Sequence, residues 1–214
     1  GELHEASEDI DLNSPLLRAI TFANDVSTDN SGNLVGDPTE IAMINYGNEK
    51  GFDLEGQLAK TPRIDEVPFD STRKLMSTIH KLEDGRFLVA VKGAPDQLIK
   101  RATQYQDNDQ VVAFTEEHSQ SILQANENMA RNALRVLAGA YKIIDSLPEK
   151  VDTDTVENDL IFAGLVGMID PERKEAGDAI KVAHDAGIRT VMITGDHAVT
   201  AQAIAERLGI LNPN

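Results

Sequence analysis

Hydrophobic positions change period along the chain, and each change predicts a different kind of element. Ser14-Pro15 ahead of "LLRAITFANDV" sets a capping residue and then proline at the first helical position, which predicts a short helix. "GDPTEIAMINYG" predicts a second: Asp37 caps, Pro38 opens, Glu40 stands three residues on as in a capping box, and Gly47 closes. From Arg63 the period falls to two, and "RIDEVPF", "KLMSTIHKL" and "RFLVAVK" predict strands, the last two joined across "EDG" as a hairpin. "APDQLIKRA" returns to helix and "QVVAF" to strand. "TEEHSQSILQANENMARNA" predicts an amphipathic helix capped by Thr115, and "LRVLAGAYKII" a strand. Elements mixed in this way, without βα alternation, predict an α+β domain on an antiparallel sheet. The polar, proline-containing "DSLPEKVDTDTVEND" predicts a long loop at its edge.

Beyond that loop the grammar becomes α/β: strand "LIFAGLVGMI", helix "ERKEAGDAIKVAHDA", strand "IRTVMI", loop "TGDHA", helix "VTAQAIAERLG". Fully apolar strands of this kind want helices on both faces and parallel neighbours. One βαβ unit plus a helix supplies too few strands, so a truncated second domain is expected, divided from the first as residues 1–160 and 161–214. Truncation is expected to expose strand edges that invite dimerisation or domain swapping.

Composition narrows the function classes. Lys and Arg number 20 against 36 Asp and Glu, and the net charge of -16 repels polyanions. Nucleic acid and anionic membrane are therefore poor partners, while a small anion such as a nucleotide is still admissible where a few local cations outweigh a screened global field. The chain has no cysteine, which removes disulfides, thiolate zinc sites and cysteine nucleophiles. Its longest apolar run has ten residues, from Leu160, where a membrane helix needs ~20. The acidic start "GELHEASEDIDLN" has no basic stretch before an apolar core and does not read as a signal peptide.

Candidate chemistry gathers at strand ends, where open α/β sheets hold ligands. Asp170 and Arg173 follow one apolar strand, and Thr194, Gly195 and Asp196 follow the next. Two acids, a hydroxyl and a guanidinium suit phosphate and Mg²⁺, although either aspartate would equally serve as the cap of the helix behind it. In the first domain Phe69 could stack on a purine, and Gly93 after Lys92 would let a ligand approach the backbone. The alternative makes Phe69 a core aromatic, and Arg73, Lys74 and Lys92 a solvated basic edge. The five histidines are scattered with no His-carboxylate-Ser arrangement, and no metal site is predicted from them.

"GDPTE", "PFDSTRKLMS", "KGAPD", "NALRVLAGAY", "VGMIDPERKE" and "MITGDHAVTAQAIAERLGI" occur in this order over nearly the whole chain. Together they resemble the cytoplasmic part of P-type cation-transporting ATPases, most nearly the Ca²⁺-pump and Na⁺/K⁺-pump-like branch. The resemblance implies a nucleotide-binding domain, a twisted antiparallel sheet flanked by helices, followed by part of a haloacid-dehalogenase-like phosphorylation domain. It implies that Phe69 stacks on adenine, that Glu40 accepts from its amino group, and that Met76, Lys92 and Gly93 complete the pocket. Arg135, with Arg73 as a further candidate, would meet the phosphates. Asp170, Arg173, Thr194, Gly195 and Asp196 would belong to phosphoryl transfer, with Mg²⁺ used by the parent enzyme.

The family's phosphorylated Asp-Lys-Thr-Gly-Thr string occurs nowhere here, nor does its later Gly-Asp-Gly-x-Asn-Asp segment. The expectation is an excised, soluble fragment of an integral membrane protein that binds ATP without turnover. Its partners would be ATP and the phosphorylation, actuator and membrane domains of its own polypeptide, with Ca²⁺ favoured as the transported ion. Two other readings are open. A soluble haloacid-dehalogenase phosphatase would need an N-terminal Asp-x-Asp-x-Thr-like strand, which is lacking before residue 30. A regulatory domain that has lost nucleotide fits the strand-glycine edge poorly.

Overall fold

A computed structural model describes residues 11–169, 174–194 and 198–211. Among them the helices are α1 (Pro15–Phe22), α2 (Pro38–Glu49), α3 (Leu54–Lys60), α4 (Pro95–Ile99), α5 (Glu116–Arg131), α6 (Thr153–Val156), α7 (Lys174–Asp185) and α8 (Ala198–Arg207). The strands are β1 (Ser27–Thr28), β2 (Leu34–Val35), β3 (Arg63–Asp70), β4 (Leu75–Lys81), β5 (Phe87–Gly93), β6 (Ala102–Asp107), β7 (Gln110–Ala113), β8 (Leu134–Ile144) and β9 (Leu160–Ile169). The chain forms two compact units. One comprises the chain to Ile122 with Leu137–Val166, the other Leu123–Val136 with the chain from Gly167.

The first unit is an α+β domain built on a seven-stranded sheet of order β3-β4-β5-β8-β9-β6-β7. The sequence predicts an antiparallel sheet, and the ladders β3·β4, β4·β5 and β5·β8 are antiparallel. The sheet is nevertheless mixed, because β6 runs parallel to β9. The helix expected through Ala102 stops at Ile99, and Ala102–Asp107 instead turns at Asn108, with φ +50, into a hairpin with β7. Asparagine tolerates that left-handed conformation, so the reversal needs no glycine.

Alternation on β4, β5 and β8 gives the sheet two apolar faces. On one, Leu75, Ile79, Val89, Val91, Ala138 and Ala140 pack with Leu98, Val156 and Phe162 in a single buried cluster. On the other, Thr78 Oγ1 donates to the Phe22 carbonyl at 3.2 Å, and the Phe22 ring lies 4.7 Å from that of buried His80. A Cβ at Gly139 would fall 2.9 Å from Leu16, so glycine is what lets α1 settle on β8. Burial on both faces makes the β4–β5 register hard to slip. Its turn is closed by Leu82 and Arg86 around Gly85, whose φ is +89.

In the second unit α7 ends in a Schellman motif. Gly187, at φ +76, donates to His184 and Ile188 to Ala183. Arg207, at the end of α8, donates to the Asn132 carbonyl at 2.7 Å. The run Ile188–Ile193, predicted as a strand, has no ladder among the described residues, and Ile193 is 94% exposed. An apolar run becomes a strand only when neighbours take up its backbone groups, and no described strand lies beside this one.

Candidate nucleotide site

The β4–β5 register sets Met76 directly opposite Lys92, and β5–β8 sets Lys92 opposite Gly139, so these residues share a sheet face. On the edge strand β3, pairing shifts between Val67 and Asp70, a bulge that leaves Pro68 and Phe69 opposite Met76. Proline lacks an N–H and suits such an edge, and a bulge re-aims the side chains it carries. Phe69 is 59% exposed, so it is not the core aromatic that one reading of the sequence allowed.

Lys92 is only 5% exposed. Burial holds its ammonium below the ordinary lysine value, opposed by its hydrogen bond to Glu40 and by the charges of Glu40, Asp25 and Asp37. Its Nζ donates to Glu40 Oε1 at 2.6 Å, and the Asp25 amide donates to Glu40 Oε2 at 3.0 Å. Glu40, expected in a capping box, thus reaches across from the first turn of α2 to β5, while Asp37 accepts from Thr39 at 2.8 Å. No motif marks Asp25, which enters through the tertiary fold.

Gly93 is demanded by its surroundings. A Cβ there would lie 2.1 Å from the Lys74 carbonyl, which accepts from Ala94 at 3.0 Å. The result is an exposed aromatic on a bulged edge, a buried methionine opposite it in the register, and across from that methionine a buried cation paired with a carboxylate. Chemically, such a row offers a flat apolar ligand one stacking surface and places an acceptor and a donor at its rim.

Arg73 lies elsewhere. Its Nε donates to Glu157 Oε2 at 2.9 Å, and one terminal nitrogen donates to the carbonyls of Pro68 at 2.7 Å and Val67 at 3.2 Å. Glu157 comes from the stretch predicted as a long loop. There a capping box between Asp152 and Thr155 opens α6 and Val156 is buried in the core. Arg135 is exposed on β8 and belongs to the second unit. Thr194 is exposed, while Asp170, Arg173, Gly195 and Asp196 lie outside the described residues. A shallow cavity under α1, lined by Arg18, Leu88, Ala90 and Tyr141 among others, contains none of the predicted residues.

Residues 14–175 match the family model described as P-type ATPase, cytoplasmic domain N. The chain is 48% identical to calcium-transporting ATPase 1 of Lactococcus lactis over 92% of its length, and 44% identical to calcium-transporting ATPase 1 of Bacillus cereus over 98%. It is 41% identical to cation-transporting ATPase pma1 of Synechocystis over 88%. It spans 22%, 23% and 21% of those relatives in turn.

Proposed function

Because this chain belongs to the P-type ATPase cytoplasmic N-domain family, we propose that it binds ATP on the row formed by Phe69, Met76, Lys92 and Gly93. The observation that carries this is the buried Lys92–Glu40 pair, in register with Met76 and next to an exposed aromatic. Burying an ammonium and a carboxylate is costly, and a hydrophobic pair would hold the strands as well. A polar pair on the same sheet face as Met76 is better accounted for by a ligand with matching polar edges. Adenine stacks on Phe69, its amino group donates to Glu40, and Lys92 and Gly93 close the pocket.

In the whole protein, residues 1–160 form the nucleotide-binding domain. Residues 161–214 open a haloacid-dehalogenase-like phosphorylation unit, to which Asp170, Arg173, Thr194, Gly195 and Asp196 contribute. The γ-phosphoryl group passes to an aspartate that this sequence does not contain, and the resulting aspartyl-phosphate drives cation movement. Calcium is favoured because relatives bear that name. Mg²⁺ accompanies catalysis in the whole enzyme. Among the described residues no group of three or more His, Cys, Asp or Glu side chains is arranged to hold a metal, and the roles given to this chain do not involve one. No described helix is long and apolar enough to cross a membrane, and the membrane part of the pump belongs to the rest of the polypeptide.

Titration of ATP into the wild type, Phe69→Ala and Lys92→Ala, followed by amide chemical shifts, tests the reading. Wild-type affinity is expected between micromolar and millimolar, with no turnover. Loss of the stacking ring should weaken it about 5- to 100-fold, the range of a base–aromatic stack. Equal affinity for all three removes the site, silence at millimolar ATP favours a regulatory domain, and phosphatase turnover revives the dehalogenase alternative.

A further inference from the structure

We propose that Glu157 is a positioning residue for the Phe69 platform, acting through Arg73 from the face of the sheet opposite Lys92. This rests on the nucleotide reading of Phe69. The Glu157 side chain is fully buried, and both its oxygens accept from Arg73 Nε, at 3.2 and 2.9 Å. Ser77 Oγ donates to Oε1 as well. Ser77 pairs with Val91 on the cluster face of the sheet, one residue out of step with Met76 and Lys92. The guanidinium spans the gap between the buried acid and the Val67 and Pro68 carbonyls, immediately before Phe69.

The anchor is over-determined. Val156 and Leu160, on either side of Glu157, are wholly buried, and the capping box fixes α6. Lys142 Nζ donates to both the carbonyl and the side-chain oxygen of Asn158, at 2.9 and 2.8 Å. The other end is the weak point, since a bulge on an edge strand interrupts the regular ladder just where the carbonyls of Val67 and Pro68 lie. A guanidinium fork can serve an acid and two carbonyls together, whereas an ammonium on a flexible stem cannot hold the same plane. Without the clamp, the exposed Phe69 ring would have to be ordered at the moment of binding, which costs affinity.

The chain has no tryptophan, so Phe69→Trp places one fluorophore on the platform and keeps it aromatic. In that background of the 214-residue chain, Arg73→Lys keeps a charge for Glu157 but loses the carbonyl bonds. It should lower the fluorescence anisotropy of residue 69 and raise its acrylamide quenching, and weaken ATP binding about 3- to 10-fold. Glu157→Gln should move all three readouts further, each in the same direction. Ser77→Ala, which takes a different partner from Glu157, should lower the urea midpoint and leave anisotropy and ATP affinity unchanged. If Glu157→Gln does not fold, Arg73→Lys carries the test. Lowered stability in Arg73→Lys with unchanged anisotropy makes the pair purely structural and overturns the proposal. Unchanged ATP affinity in Phe69→Ala overturns the nucleotide reading instead, and the anisotropy result still decides whether Glu157 positions residue 69.

Discussion

"RFLVAVKG" and "IRTVMITG" are close in pattern: each has an arginine within its first two residues, runs on through apolar groups, and ends on a polar residue and glycine next to a candidate site. Their fates differ. The first is β5, laddered to β4 on one side and β8 on the other, with Val89 and Val91 at 0% exposure. The second has no ladder among the described residues and leaves Val191 73% exposed. Pattern tells which residues can form a buried strand, and the neighbours decide whether they do. The chain spans about a fifth of the relatives it matches, and among the described residues no strand pairs with the second run.

The largest test of this contrast places a charge in each run. Val91→Asp buries a carboxylate in the core cluster and should cost about 4 kcal/mol or more, enough to unfold a marginal domain. Val191→Asp, on an exposed side chain, should stay within about 0.5 kcal/mol. Urea denaturation of both variants measures the difference. Similar costs would mean that the second run is buried in solution after all.

Acid should act through the built region next. His80, opposite Leu88 in the β4–β5 ladder, is buried against Phe22 with one ring nitrogen facing the Thr61 carbonyl and the other Thr78 Oγ1. Burial pushes its pKa down to about 4, helped by the Arg63 charge and opposed by the Thr61 hydrogen bond. The unfolded chain, with histidine near 6.5, then binds the proton more readily than the native one. Stability from neutral His80 is complete above pH 6.5 and is lost as pH falls toward 4, by roughly 3 kcal/mol at about 1.4 kcal/mol per unit. Urea midpoints at pH 7, 5.5 and 4.5 should trace that slope, and His80→Gln should flatten it. An unchanged slope in the variant would assign the acid sensitivity to other groups.

The same dependence on neighbours explains what could be read in advance. Helix starts are local, so Pro15, Pro38 and Thr115 marked α1, α2 and α5 correctly. The β4–β5 hairpin is also local, and its register carries Met76 opposite Lys92, which made that part of the candidate row legible. The parallel β6–β9 pairing joins Ala102 to Leu160, and nothing in the polar "ATQYQD" announces it. Glu157 was hidden for another reason. Among the acids of "DTDTVEND" only the burial of Val156 and Leu160 around it distinguishes it, and that is a property of the folded core. Family membership was legible because several motifs recur in order, and matching residues 14–175 needs no geometry.

Two glycines give the smallest and most local version of the contrast. At Gly93 an added methyl meets the Lys74 carbonyl at 2.1 Å, and Leu75 atoms at 2.7 and 2.9 Å. Backbone cannot swing aside as a side chain can, so Gly93→Ala must part β4 from β5 locally and should cost about 2 kcal/mol, in the range for overpacking. At Gly187 nothing lies within 4 Å, and only its φ of +76 penalises a side chain. Gly187→Ala should therefore cost about 1 kcal/mol, the price of a left-handed residue at a helix C′ position. Gly187→Asn separates the two causes, since asparagine tolerates that φ and should restore much of the loss, whereas Gly93→Asn should be at least as damaging as Gly93→Ala. Chemical denaturation of the four variants ranks them. If asparagine rescued position 93, the crowding between its backbone and Lys74 would not be what reserves it for glycine, and the close approach attributed to the β5 end would have to be given up.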